Sequence, residues 1–191
     1  ALVTPVKSIE SEKYHIGLWV RDSTAGIGTL TFFDPESKSF GALGHGITDI
    51  DTGALMPVKS GEILESSILG IRKGKQGNPG ELKGVFLEDS DSLGIITSNN
   101  SYGIFGVLNS DAEKRIHHKL YPIGLRNQIN EGKATILSNI DGKEVKEYEI
   151  MIERVSRHSI NGSKGMIIRI TDEKLLESTG GIVQGMSGSP I

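Results

Sequence analysis

The stretch GIGTLTFFDPESKSFGALGHG, residues 26–46, decides the fold. β-Branched and aromatic residues fill Ile27–Phe33, and Phe40–Leu43 is a second short run of the same kind. Between them Asp34-Pro35-Glu36-Ser37 is turn chemistry: Pro35 presets φ and its polar neighbours bond locally. The spacing predicts a hairpin over Ile27–Leu43 whose second strand delivers His45 at its end. Gly44 and Gly46 flank that histidine, so the backbone can approach another loop closely while the ring stays free to turn.

The same punctuation runs through the rest of the chain. Its 25 glycines break the apolar runs at intervals that leave little room for long helices. Strands are expected at His15–Val20, Glu62–Ile71, Lys83–Leu87, Leu93–Thr97, Tyr102–Leu108, Ala134–Ile140 and Met166–Ile170. Glu144–Val155 alternates apolar and charged residues as a half-buried antiparallel strand does, although a helix competes there. The helical candidates, Ser110–His118 and Asp172–Ser178, are short; the second opens on acidic residues and is followed by Gly180 and Gly181. Short strands with turns every ~8 to 12 residues make the fold all-β, a sandwich or a barrel.

Composition narrows the function classes. A chain of 191 residues fits one domain, possibly of two similar halves. With 21 Lys plus Arg against 24 Asp plus Glu, the net charge of -3 offers no broad attraction to phosphate, so nucleic acid is not an expected partner. The absence of cysteine excludes disulfides, thiolate nucleophiles and Cys-ligated metals together. No apolar run approaches the ~20 residues that span a bilayer. The chain opens at Ala1 without an initiator Met or a charged-then-apolar leader, and reads as part of a longer protein.

The chemistry concentrates in GGIVQGMSGSP, residues 180–190. Here Ser187 sits in a glycine-rich turn behind a short strand, a setting that exposes a hydroxyl beside backbone N–H groups. Acyl transfer needs the nucleophilic oxygen and the donors for the developing oxyanion on the same side of one carbonyl. The Gly-x-Ser-Gly-x-Pro pattern also occurs in plain loops and anion-binding nests. Gly44-His45-Gly46 supplies the missing partner, since a base of near-neutral pKa is what a serine hydroxyl requires. Ser189 competes for the nucleophile, but only Ser187 has glycine two residues before and one after it.

These motifs resemble those of chymotrypsin-like serine peptidases, in which histidine comes first, the acid next, and serine last within Gly-Asp-Ser-Gly-Gly-Pro. Met186 replaces the acid of that hexapeptide and Ser189 its second glycine. Gly26–Phe32, Gly41–Asp49 and Gly180–Pro190 together more closely resemble the stage IV sporulation protein B peptidase family, across nearly the whole chain. The resemblance implies a chymotrypsin-like double β-barrel, divided near residues 105–120, with an upstream PDZ domain outside this chain. It also implies an exported endopeptidase acting between the two forespore membranes. The resemblance implies further that the substrate there is a protein, the regulator of an intramembrane metalloprotease.

The third catalytic member is open on sequence alone, because Asp49, Asp51, Asp89, Asp91, Asp111, Asp141 and Asp172 all precede Ser187. The resemblance favours Asp172, which also follows the expected strand Met166–Ile170; the competing role is a cap for the short helix. The resulting expectation is a triad of Ser187, His45 and Asp172, with Gly185 and Ser187 N–H groups as the oxyanion hole. No cofactor is expected. Nor is a metal, since His117 and His118 are adjacent on a short helix and lack a partner pattern. Gly70–Gly80, with Arg72, Lys73 and Lys75, is a basic glycine-rich loop that reads as solvated, and Gly70–Gly77 within it lacks the Gly-Lys-Ser/Thr ending of a phosphate loop. Asn99-Asn100-Ser101 and Asn161-Gly162-Ser163 read as turns.

The alternative is a non-catalytic β-barrel module that binds peptides with a peptidase-like shape. The sequence stops at Ile191, shortly after Ser187, whereas the resemblance implies further strands. That predicts an incomplete second barrel, self-association through open strand edges and a displaced serine turn, with activity impaired in this chain.

Overall fold

The computed structural model describes residues 4–15, 24–49, 51–87, 91–116, 119–156 and 165–191. Its strands, in chain order, are β1 (Val6–Lys7), β2 (Tyr14–His15), β3 (Phe32–Phe33), β4 (Ser39–Leu43), β5 (Glu62–Ile63), β6 (Ser66–Arg72), β7 (Glu81–Phe86), β8 (Gly94–Asn100), β9 (Gly103–Leu108), β10 (Gly132–Ser138), β11 (Lys146–Val155) and β12 (Met166–Ile170). A 3-10 turn covers Glu113–Arg115, and the single α-helix among the described residues, α1, covers Glu173–Thr179. The fold is all-β and chymotrypsin-like, with curled half-barrel sheets.

A five-stranded antiparallel sheet runs in the order β3-β4-β9-β8-β5, and a three-stranded one in the order β10-β11-β12. β6 and β7 pair with each other, as do β1 and β2. Two cores result. Phe40, Leu108 and Ala112 centre the first, joined by Leu30, Phe33, Ile63, Ile96 and Ile104. The second gathers Ile68 and Leu82 from β6 and β7 with residues of β10 to β12, α1 and the segment after it. Burying one such Ile or Phe contributes about 1.5–3 kcal/mol, and the strand alternation decides which side chains do so. In β11, Tyr148, Ile150 and Ile152 are buried while Glu147, Glu149 and Glu153 face out, so the strand prevails over the helix there.

The hairpin forms as its turn dictates. Asp34 accepts hydrogen bonds from the Ser37 hydroxyl at 2.6 Å and the Glu36 N–H at 3.0 Å. The Ser37 bond, then the Glu36 N–H, holds the Asp34 carboxyl below the usual range. Its first strand is much shorter than Ile27–Phe33, because pairing begins only where the Thr31 N–H donates to the Gly41 carbonyl at 2.8 Å. Upstream of that point Ile27 packs on the second core and the Thr29 side chain turns to the serine segment. The upstream part of the first strand is thus given up for contacts with the second core and the serine segment.

Glu62–Ile71 is likewise two strands in different sheets, broken at Leu64 and Glu65. Glu65 marks the crossing, with Lys143 at 2.8 Å and Arg115 also paired to it. Met166–Ile170 has the expected bounds, and Asp172–Ser178 is the helix within a residue at each end. Of His15–Val20 all but His15, and of Ser110–His118 the last two residues, lie outside the described residues.

Candidate active site

Two loops from the two cores meet at the site. The first is the exit of β4. There the Gly44 N–H donates to the Tyr102 carbonyl at 3.1 Å, and Gly44 adopts a φ of +127°, a conformation that favours glycine. His45 follows, exposed, with its Nδ1 at 3.2 Å from the Gly46 carbonyl; the ring makes no other hydrogen bond among the described residues. Asn99 fixes the next residue. Its Oδ1 accepts the Ile47 N–H at 2.8 Å, and its Nδ2 donates to the Ile47 and Met56 carbonyls, each at 2.9 Å. Gly46 must be glycine for this fit, since a Cβ there would lie 2.4 Å from the Asn100 carbonyl oxygen.

The second loop is the serine turn. Gly180 ends α1 in the left-handed conformation at φ +73° and returns its N–H to the Leu176 carbonyl at 2.8 Å. Fully buried Thr179 donates its hydroxyl to Leu175, and its carbonyl accepts the Gly74 N–H at 2.8 Å. Gln184 is held on both sides, its N–H by Gly80 and its carbonyl by Leu82, each at 2.9 Å. Val183 and Met186 are buried in the second core. The basic glycine loop read as solvated therefore has a packed side: Gly74 and Gly80 brace the approach to the serine.

Where the loops meet, a Cβ on Gly44 would lie 3.1 Å from the Cβ of Ser187, and one on Gly188 would lie 2.3 Å from the Leu43 carbonyl oxygen. The absence of side chains at both glycines permits the approach. Ser187 is thus brought against the end of the histidine strand rather than displaced from it. Ser187 is exposed, whereas the Ser189 hydroxyl is buried with no hydrogen-bond partner among the described residues. The Met186 and Ser189 N–H groups are donated to Val183 and Met186 carbonyls, but those of Gly185, Ser187 and Gly188 find no acceptor among the described residues.

Asp172 stands at the N-cap of α1, its carboxylate accepting the Leu175 N–H at 2.9 Å. No hydrogen bond joins it to His45, nor His45 to Ser187, among the described residues. No group of His, Cys, Asp and Glu able to hold a metal occurs among the described residues, and His117 and His118 lie outside them. Among the described residues no helix is long and apolar enough to cross a membrane.

The fold that carries the serine turn and the histidine loop is chymotrypsin-like, the architecture of one class of serine peptidases. The sequence matches the SpoIVB peptidase S55 family over residues 12–191, and the chain belongs to that family. This makes it a hydrolase of protein substrates with a place in sporulation. No curated protein and no solved structure matches it. Sequence reasoning missed Asn99, Thr29, Gly74 and Gly80; the signal for the glycines was their number, and for Asn99 its position at a strand end.

Proposed function

We propose that the chain is a serine endopeptidase in which Ser187 attacks the scissile carbonyl and His45 is its base. The observation that carries this reading is the contact of the serine turn with Gly44, beside the histidine. His45 Nε2 takes the Ser187 Oγ proton as Oγ bonds to the carbonyl carbon, and the oxygen that becomes negative accepts the Gly185 and Ser187 N–H groups. The imidazolium returns its proton to the departing amine; water, deprotonated by the same imidazole, then releases the acyl group. The unused N–H groups and the burial of the rival Ser189 hydroxyl support these roles.

Asp172 is proposed as the third member, following the family resemblance. Its carboxylate has lone pairs beyond the one that caps α1. Serving His45 requires the ring to leave the Gly46 carbonyl and offer Nδ1–H to that carboxylate. The substrate we propose is the regulator of an intramembrane metalloprotease, cut in the space between the forespore membranes. We further propose self-association along the open edge of β12, where Met166 and Ile167 are exposed.

Incubating the purified regulator with the protein tests the reading. Discrete fragments that disappear with Ser187→Ala are expected. Uncut regulator that still binds the Ser187→Ala protein would instead establish a peptide-binding module.

A further inference from the structure

The serine turn bends at two glycines, Gly185 and Gly188, and a side chain from the other end of the sequence bonds to the first. Gln184 is fixed through both its N–H and its carbonyl, and Met186 through its N–H and its buried side chain. Between them lies Gly185, at φ +99°, the residue type with the widest conformational freedom. Among the described residues its N–H has no acceptor, and its carbonyl accepts a single hydrogen bond, from the Thr29 hydroxyl at 2.9 Å.

Peptide planarity turns that bond into a constraint on the chemistry. In a trans peptide the N–H points opposite to the C=O of the same unit. The grip of Leu82 on the Gln184 carbonyl therefore directs the Gly185 N–H away from β7. The next peptide unit, between Gly185 and Met186, is held at its N–H end by the Val183 carbonyl at 3.2 Å, and the bond from Thr29 holds its carbonyl end, so the two together set the rotation between the units. That rotation, with the backbone of Met186 held by its own N–H bond and buried side chain, sets where the Ser187 N–H lies relative to the Gly185 N–H.

We propose that Thr29 is a positioning residue for the oxyanion hole: its hydroxyl, through the Gly185 carbonyl, holds the two donor N–H groups in register. The inference rests on the reading of Ser187 as nucleophile. Thr31 provides a contrast from the same segment. Its hydroxyl accepts the Leu43 N–H at 2.8 Å, and a Cβ on Gly188 would lie 2.8 Å from it. Thr31 thus bonds to the histidine strand and lies close to Gly188, while of the two threonines it is Thr29 that bonds to Gly185.

The test compares wild type, Thr29→Val, Thr29→Ala and Thr29→Ser by two readouts: amide chemical shifts and hydrogen exchange over Gly185–Gly188, and the rate of Ser187 phosphonylation by a fluorophosphonate. Loss of the hydroxyl should shift the turn amides, speed their exchange and slow labelling about 10- to 100-fold at unchanged melting temperature, with Thr29→Ser restoring both. Either Val or Ala suffices if the other does not fold. Unchanged turn amides overturn the proposal, as do altered amides with wild-type labelling. A wild-type protein that does not label contradicts the peptidase reading instead, and the amide comparison still decides whether Thr29 holds the turn.

Discussion

The serine turn and the histidine loop touch, yet they are held in opposite ways. The serine turn is a piece of core: Val183 and Met186 are buried, Gln184 is bonded on both sides, and the Pro190 carbonyl accepts the Leu137 N–H at 2.9 Å. His45 stands in the open on a strand end, with a backbone carbonyl as its ring's hydrogen-bond partner and Asn99 holding the chain behind it. On the proposed roles, such an arrangement fixes the nucleophile and its donors in advance and leaves orientation of the base as the adjustable step. The difference follows from the two cores, because the serine turn belongs to the larger one and the histidine loop projects from the edge of the smaller.

The sharpest way to break the comparison is at its two ends. Ser187→Ala and His45→Ala should each lower turnover about 10⁵- to 10⁶-fold in a cleavage assay, with the folded state intact by circular dichroism. Next comes the anchor of the turn. Met186 is 3% exposed, and Met186→Ala should cost about 2–5 kcal/mol in denaturant unfolding, with labelling of Ser187 lost well before the fold is.

On the histidine side, Asn99→Ala strands the Ile47 N–H and two carbonyls and should cost about 1–3 kcal/mol. It should slow turnover without altering the amide shifts of the serine turn. Asp172 separates structure from catalysis: Asp172→Ala should lose about 1 kcal/mol of cap stability, whereas Asn caps a helix equally well. A fall in turnover for Asp172→Asn at unchanged stability would show that the carboxylate serves His45.

The smallest effect is expected between the two cores. The Lys143 ammonium, and after it the Arg115 guanidinium, hold the Glu65 carboxyl below its ordinary range. A carboxyl whose pKa is lower folded than unfolded stabilises the fold above its unfolded pKa and ceases to do so as pH falls through the folded one. Acid titration of melting temperature should therefore show a loss on descending below the ordinary glutamate range, and Glu65→Gln should flatten it.

Local chemistry was legible in the sequence where it acts over a few residues. The Asp34–Ser37 turn, the alternation of Tyr148, Ile150 and Ile152, and the strand Met166–Ile170 all follow from turn preference or period. Reading failed where distant parts compete for the same backbone. Thr29 has the composition of a strand residue, yet its hydroxyl is drawn to Gly185, far along the chain. Glu62–Ile71 reads as continuous, but Glu65 meets charges from two other connections and the strand changes sheets. Gly74 and Gly80 looked like loop glycines because their neighbours, Thr179 and Val183, are supplied from the far end of the sequence. In the site, the glycine context singled out Ser187 and His45, while the alternative roles of Asp172 could not be separated by spacing.

The central claim, that Ser187 is a nucleophile activated by His45, is tested most directly by treating the protein with a fluorophosphonate and mapping the modified peptide by mass spectrometry. The account predicts one adduct, on Ser187, that is lost in His45→Ala. An adduct on Ser189, or labelling of Ser187 that proceeds equally well without His45, would contradict it.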